Sequence, residues 1–221
     1  MTDFAAAREF MVQGQVRIND VTDPRLTAAM LELPRERFVP PALADLAYLD
    51  RDLPVSAQGT APRCLLKALT LAKLIQFAAI DDDEHVLDVG CATGYGAAIL
   101  ARLARSVVAL EEVAGLADQA RKNLADLGCA RVSVVSGPLA EGWPAQAPYD
   151  VVLVEGATEV VPHRLLSQLK PGGRLLCIHG ATPGSKGTIY RAVGGEVSGR
   201  PVFDATAPLL PGFAAPAEFV F

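Results

Sequence analysis

The apolar positions of this chain change their period near residue 85. Upstream they recur at helical spacing; downstream they gather into short runs separated by helical stretches. Asp23-Pro24 predicts a helix start, since Asp accepts orphan N–H groups and Pro tolerates the first helical position. That helix runs to about Leu33, where Pro34 stops it. A proline-spotted irregular stretch follows from Pro40 to Pro62, and Leu65 to Ile80 reads as an amphipathic helix. Beyond residue 85 the predicted strands are His85–Val89, Ser106–Leu110, Val132–Val135, Asp150–Val154 and Arg174–Ile178. Helices are predicted at Ala97–Ala104 and at 113–127, the second closed by Gly128. Apolar strands alternating with helices imply a parallel sheet with helices on both faces. Ile189–Val193 and Glu218–Phe221 are the candidate closing strands.

A chain of 221 residues that is 51% hydrophobic can bury one large core. We read 1–221 as one domain, with a helical region over 1–80 and an α/β core over 81–221. Its 25 acidic and 20 basic residues give a formal charge of -5, with no basic run, which argues against a nucleic-acid partner. The stretch Leu65 to Ile80 is too short and too interrupted by Lys67, Lys73 and Gln76 to span a bilayer. The start, MTDFAAAREF, does not have the pattern of a signal peptide. Cys64, Cys91, Cys129 and Cys177 are scattered without a CxxC pair, which fits reduced thiols in a cytoplasmic protein. No Cys and His residues have metal-ligand spacing, so no metal is expected. The oligomeric state is not legible.

The strongest chemical signal is the strand-to-turn sequence Asp88-Val-Gly90-Cys-Ala92-Thr-Gly94-Tyr-Gly96. Gly90 and Gly94 let the chain turn sharply and bring backbone close to a ligand. Glu111 ends the second strand, where an acid can accept both hydroxyls of an adenosine ribose. A dinucleotide site needs G-x-G-x-x-G to meet a pyrophosphate, and the spacing here differs. It resembles the first motif of class I methyltransferases, with Ala92 where Gly is usual, an addition of one methyl. That resemblance implies S-adenosylmethionine, whose ammonium suits Asp88, rather than NAD.

The resemblance extends along the chain. Met11-Val12, Pro34-Arg-Glu-Arg-Phe-Val-Pro40, Ala47-Tyr-Leu-Asp50, Leu53-Pro-Val55, Gly142-Trp-Pro144 and Gln168-Leu-Lys-Pro-Gly-Gly173 occur in order. Together they resemble the protein-L-isoaspartate O-methyltransferases over roughly residues 8 to 178. The resemblance implies a Rossmann-like class I methyltransferase sheet with an N-terminal helical extension forming the acceptor side. It implies S-adenosylmethionine as cofactor, an isoaspartyl-containing protein or peptide as partner, and cofactor contacts at Asp88, Gly90, Cys91, Gly94, Tyr95, Glu111, Pro138 and Leu139. Thr60 stands where the family has a serine over the reacting centre, which assigns it the orientation of the acceptor carboxylate. Gly137-Pro138-Leu139 replaces Gly-Asp-Gly, so adenine would be held by packing or backbone atoms. Glu155-Gly-Ala157 replaces Thr-Ala-Ala, placing a carboxylate that would repel an anionic acceptor unless it points away. A different acceptor, or cofactor binding without catalysis, are the alternative readings.

Overall fold

A computed structural model describes residues 2–56, 62–180, 183–194 and 196–216. The chain opens with helix α1 (Phe4–Met11), where the Asp3 side chain accepts hydrogen bonds from the N–H groups of Ala5 and Ala6. Helix α2 (Pro24–Glu32) starts as predicted, with Asp23 accepting from Arg25 and Leu26 N–H. It turns Leu26, Ala29 and Met30 inward. Short 3-10 turns at Arg35–Phe38 and Pro41–Leu46 lead to strand β1 (Leu53–Pro54), paired antiparallel with β2 (Cys64–Leu65). That pairing takes the first residues of the predicted 65–80 helix, so α3 spans only Ala68–Ala78.

The core runs β3 (His85–Val89), α4 (Tyr95–Leu103), β4 (Ser106–Glu111), α5 (Ala114–Asp126) and β5 (Val132–Ser136). It continues with β6 (Tyr149–Thr158), α6 (His163–Leu166), β7 (Leu169–His179), β8 (Lys186–Val193) and β9 (Glu196–Asp204). The sheet order is β5-β4-β3-β6-β7-β8-β9; β5 through β7 are parallel, and β8 and β9 antiparallel. The predicted Ile189–Val193 lies within β8, while Glu218–Phe221 lies outside the described residues.

The last strand among the described residues is Glu196–Asp204, whose polar, largely exposed sequence carries no strand period. Gly199 faces Tyr190 there, and a Cβ would come within 2.6 Å of the Tyr190 ring. Its position at the sheet edge tolerates Pro201.

Coverage of the sheet is lopsided. Helices α1 to α5 pack on the face that presents Val86, Val107, Ala109, Val151 and Leu153. The opposite face, with Leu87, Val89, Val108, Leu110 and Val152, is covered by α6 and by turns carrying Leu139, Trp143, Leu210 and Phe213. The chain passes from β3 to β4 on one side and returns with β6 on the other, so the order reverses at β3. Such a reversal leaves a crevice beyond the strand ends, where ligands bind in open α/β sheets. No described helix is long and apolar enough to cross a membrane.

Candidate functional site

The turn after β3 occupies that crevice. Gly90 takes φ +82 and Gly94 takes φ +94, a backbone region that a side chain resists. Ala92 takes φ +49, so its substitution for glycine costs backbone strain as well as one methyl. The turn is tied on three sides. Gly90 and Cys91 N–H donate to the Leu110 carbonyl at 2.8 and 3.1 Å. Thr93 Oγ1 donates to Phe38 O at 2.5 Å, and Asn123 Nδ2 donates to Thr93 O at 3.0 Å. Thus the sheet, the N-terminal region and α5 all hold one loop.

Glu111, fully buried at the end of β4, accepts backbone N–H bonds from Ala92, Glu112 and Val113 at 2.8, 3.0 and 3.1 Å. Its remaining partner is Arg63, which the sequence reading did not find. Arg63 Nε lies 3.2 and 3.3 Å from the two carboxylate oxygens of Glu111, and Nη2 donates to Glu111 Oε2 at 2.9 Å and to Gly90 O at 2.7 Å. The pair is sealed, with side-chain exposures of 2% and 0%. No local pattern could have revealed it. Arg63 lies far from Glu111 in the chain and follows a proline in a stretch without period.

Asp88 and Glu155 form a second buried acidic feature. Both oxygens of Asp88 and Oε1 of Glu155 have no hydrogen-bond partner of ordinary geometry. Glu155 points inward, and a Cβ on Gly96 would collide with its carboxyl. Burial pushes Asp88 up to about 7, and Glu111 adds repulsion, while the adjoining Glu155 and Arg63 act in the opposite direction. Burial pushes Glu155 well above the carboxylate range, and Asp88 adds to this, against Arg63 and Arg35. Burial therefore disfavours a full charge on both acids of the pair at once.

The other expected residues divide by environment. Cys91 is buried, and burial among Asp88, Glu111 and Glu155 holds its thiol well above its usual range, so it is inert. Tyr95 contributes its backbone to the start of α4, but its ring packs edge-on against Phe38 at 5.3 Å, with the Arg35 guanidinium 4.8 Å from its centre. Pro138 is exposed and Leu139 is buried; the Leu139 N–H donates to Glu112 at 3.4 Å. Thr60 lies outside the described residues. His85 is structural: its ring contacts Ser106 Oγ at 2.7 Å and stacks on Tyr149. No group of three or more metal-binding side chains occurs among the described residues. Beside Thr93 opens a groove of about 600 Å³, lined by Phe38, Val39, Pro40, Val113 and Leu116.

The family model for protein-L-isoaspartate(D-aspartate) O-methyltransferase matches residues 8–184. Protein-L-isoaspartate O-methyltransferase 1 of Rhodopseudomonas palustris (strain HaA2) is 40% identical over 180 residues, covering 81% of this chain and 72% of that protein. A solved protein-L-isoaspartate O-methyltransferase superposes with a TM-score of 0.80 at 25% identity, over 93% of this chain and 66% of that one. The Plasmodium falciparum structure titled a putative protein-L-isoaspartate O-methyltransferase in complex with S-adenosyl-L-homocysteine gives 0.75 at 15% identity, over 95% and 99%, and shows likeness of fold.

Proposed function

The chain belongs to the protein-L-isoaspartate O-methyltransferase family, and on that premise we propose that it transfers a methyl group from S-adenosylmethionine to isoaspartyl carboxylates of damaged proteins. The observation that carries this reading is the meeting of the glycine turn with Glu111 at the strand-order reversal, beside the unpaired oxygens of Asp88 and Glu155. These groups suit a ligand that brings ribose hydroxyls and positive charge. S-adenosylmethionine supplies a methyl group on a positively charged sulfur.

Glu111 is the acceptor for ribose hydroxyls, Asp88 faces the ammonium, and Gly90 and Gly94 let the backbone approach. Pro138 and Leu139 flank the adenine, and Pro138 offers it no acid. Thr60 orients the acceptor. A carboxylic acid of pKa about 4 is already ionised at neutral pH, so the transfer needs positioning rather than a general base. Burial favours the protonated form of Glu155, which lessens the repulsion that its sequence position raised. Residues 1–80 form the acceptor side of one domain, and the groove beside Thr93 lies where that region meets the cofactor turn. With a formal charge of -5 and scattered thiols, we place the enzyme in the cytoplasm, acting on proteins rather than nucleic acid.

The test is transfer of labelled methyl from the cofactor to an isoaspartyl peptide and to its aspartyl twin. Only the first should be esterified. Thr60→Val should lower kcat/KM by about ten- to two-hundred-fold, the loss of one hydrogen bond to a charged group. Cofactor binding without isoaspartyl turnover would move the assignment to another acceptor.

A further inference from the structure

Glu111 carries more partners than a ribose-binding carboxylate can keep. A carboxylate offers about four lone-pair positions. Here three backbone N–H groups and the Arg63 fork already engage both oxygens. The three N–H donors belong to the turn and to the start of α5, so they cannot leave without dismantling the site. Arg63 reaches Glu111 through its flexible side chain alone, so it is the partner that can exchange.

Its position points the same way. The space above Gly90, kept open by the missing Cβ, is filled by the guanidinium: Nη2 lies 2.7 Å from where that Cβ would stand. The same nitrogen donates to Gly90 O. A positive group thus rests on the carboxylate and the backbone of the glycine turn, with Asp88 and Glu155 nearby. The cofactor reading above assigns that place to a ligand which also carries positive charge. A buried ion pair contributes little net stability compared with apolar packing, so fold maintenance is a weak reason for placing one there.

We propose that Arg63 is a gatekeeping cation, which must release Glu111 and Gly90 before S-adenosylmethionine can bind. The inference rests on the cofactor reading. Binding then waits on the fraction of molecules in which the Arg63–Glu111 pair is open, and the apparent affinity is reduced by that fraction. Arg63 acts here by competition, since its fork occupies the acceptor that the ribose needs.

The experiment uses S-adenosylhomocysteine as probe and the fluorescence of the single tryptophan, Trp143, as reporter. Trp143 packs against Gly137, immediately before Pro138 and Leu139. On rapid mixing, the observed rate for the wild type should level off with ligand concentration at the rate of opening. For Arg63→Met the rate should rise linearly and the dissociation constant should tighten by about tenfold, as expected if the pair is open in roughly a tenth of molecules. Arg63→Lys keeps the charge without the planar fork and should fall between the two. The wild-type and Arg63→Lys measurements stand even if Arg63→Met folds poorly, which a cooperative melt checks. Unchanged or weaker binding in a folded Arg63→Met, with linear wild-type rates, would make Arg63 a fixed strut or a cofactor ligand and overturn the proposal. Absence of binding in every form would remove the cofactor reading itself, and the gate with it.

Discussion

Two arginines are sealed among the described residues, and they are bonded in opposite ways. Arg35, in the turn after α2, is fully buried and donates to two backbone carbonyls, Ala47 O at 2.7 Å and Leu66 O at 2.5 Å. Its guanidinium also lies over the Tyr95 ring. Arg63 shares a carboxylate with three backbone donors at the ligand end of the sheet. The carbonyls held by Arg35 would lose their donor if it left. Without Arg63, Glu111 would keep three donors, and one carbonyl, Gly90 O, would lose its side-chain donor. The contrast separates an arginine that joins the N-terminal region to the core from one positioned to yield.

The largest expected effect tests that separation. Arg35→Met strands two buried carbonyls, each costing about 1–3 kcal/mol, so unfolding in urea should show a loss of about 2–6 kcal/mol. Arg63→Met leaves the buried Glu111 carboxylate without its cation, at about 3–5 kcal/mol, but should tighten ligand binding where Arg35→Met does not. Unchanged ligand affinity in both folded variants would erase the distinction.

A smaller effect concerns the acids around Arg63. Asp88 faces Glu155, Glu111 and Arg63, and Glu155 faces Asp88, Arg63 and Arg35. An acid whose pKa is raised by folding holds its proton where the unfolded chain has released it. The folded state then binds more protons, and stability falls as pH rises. For Asp88 the window runs from the ordinary 3.8 up through about 7. Between pH 6 and pH 8 the wild type should therefore lose on the order of 1 kcal/mol. Glu155→Gln should flatten this dependence, because an amide can donate to Asp88 and stabilise its charged form. Melting at both pH values checks it, and parallel curves for the two proteins would mean that Glu155 does not set the titration of Asp88.

The smallest effect lies in the turn beneath Arg63. Ala92 at φ +49 carries a left-handed cost of about 1–2 kcal/mol, partly offset in glycine by the greater freedom of the unfolded chain. Ala92→Gly should raise stability by about 0.5–1 kcal/mol, read as a higher urea midpoint at constant slope. A loss would mean that the Ala92 methyl packs more favourably than its backbone strains.

Local signals explain what was legible in the sequence. His85–Val89 was read to the residue, and β4 to within one, because buried parallel strands are continuous apolar runs bounded by turns. Asp23-Pro24 marked its helix through capping chemistry that lies within four residues. Glu111 stands out in the sequence because its strand ends there. Arg35 and Arg37 stand in the same short motif, yet one is buried over Tyr95 and the other pairs with Asp126 at the surface. Nothing local distinguishes them. Arg63 depends on a partner in a distant strand, and β9 on a neighbour that covers its glycine; both are tertiary facts without a period.

The inward Glu155 also couples two positions of this site. Because its carboxyl fills the space beside Gly96, a larger residue at 96 is accommodated only if the Glu155 side chain shifts. That shift would carry a buried carboxyl away from Asp88, so the size of residue 96 and the electrostatic surroundings of Asp88 vary together.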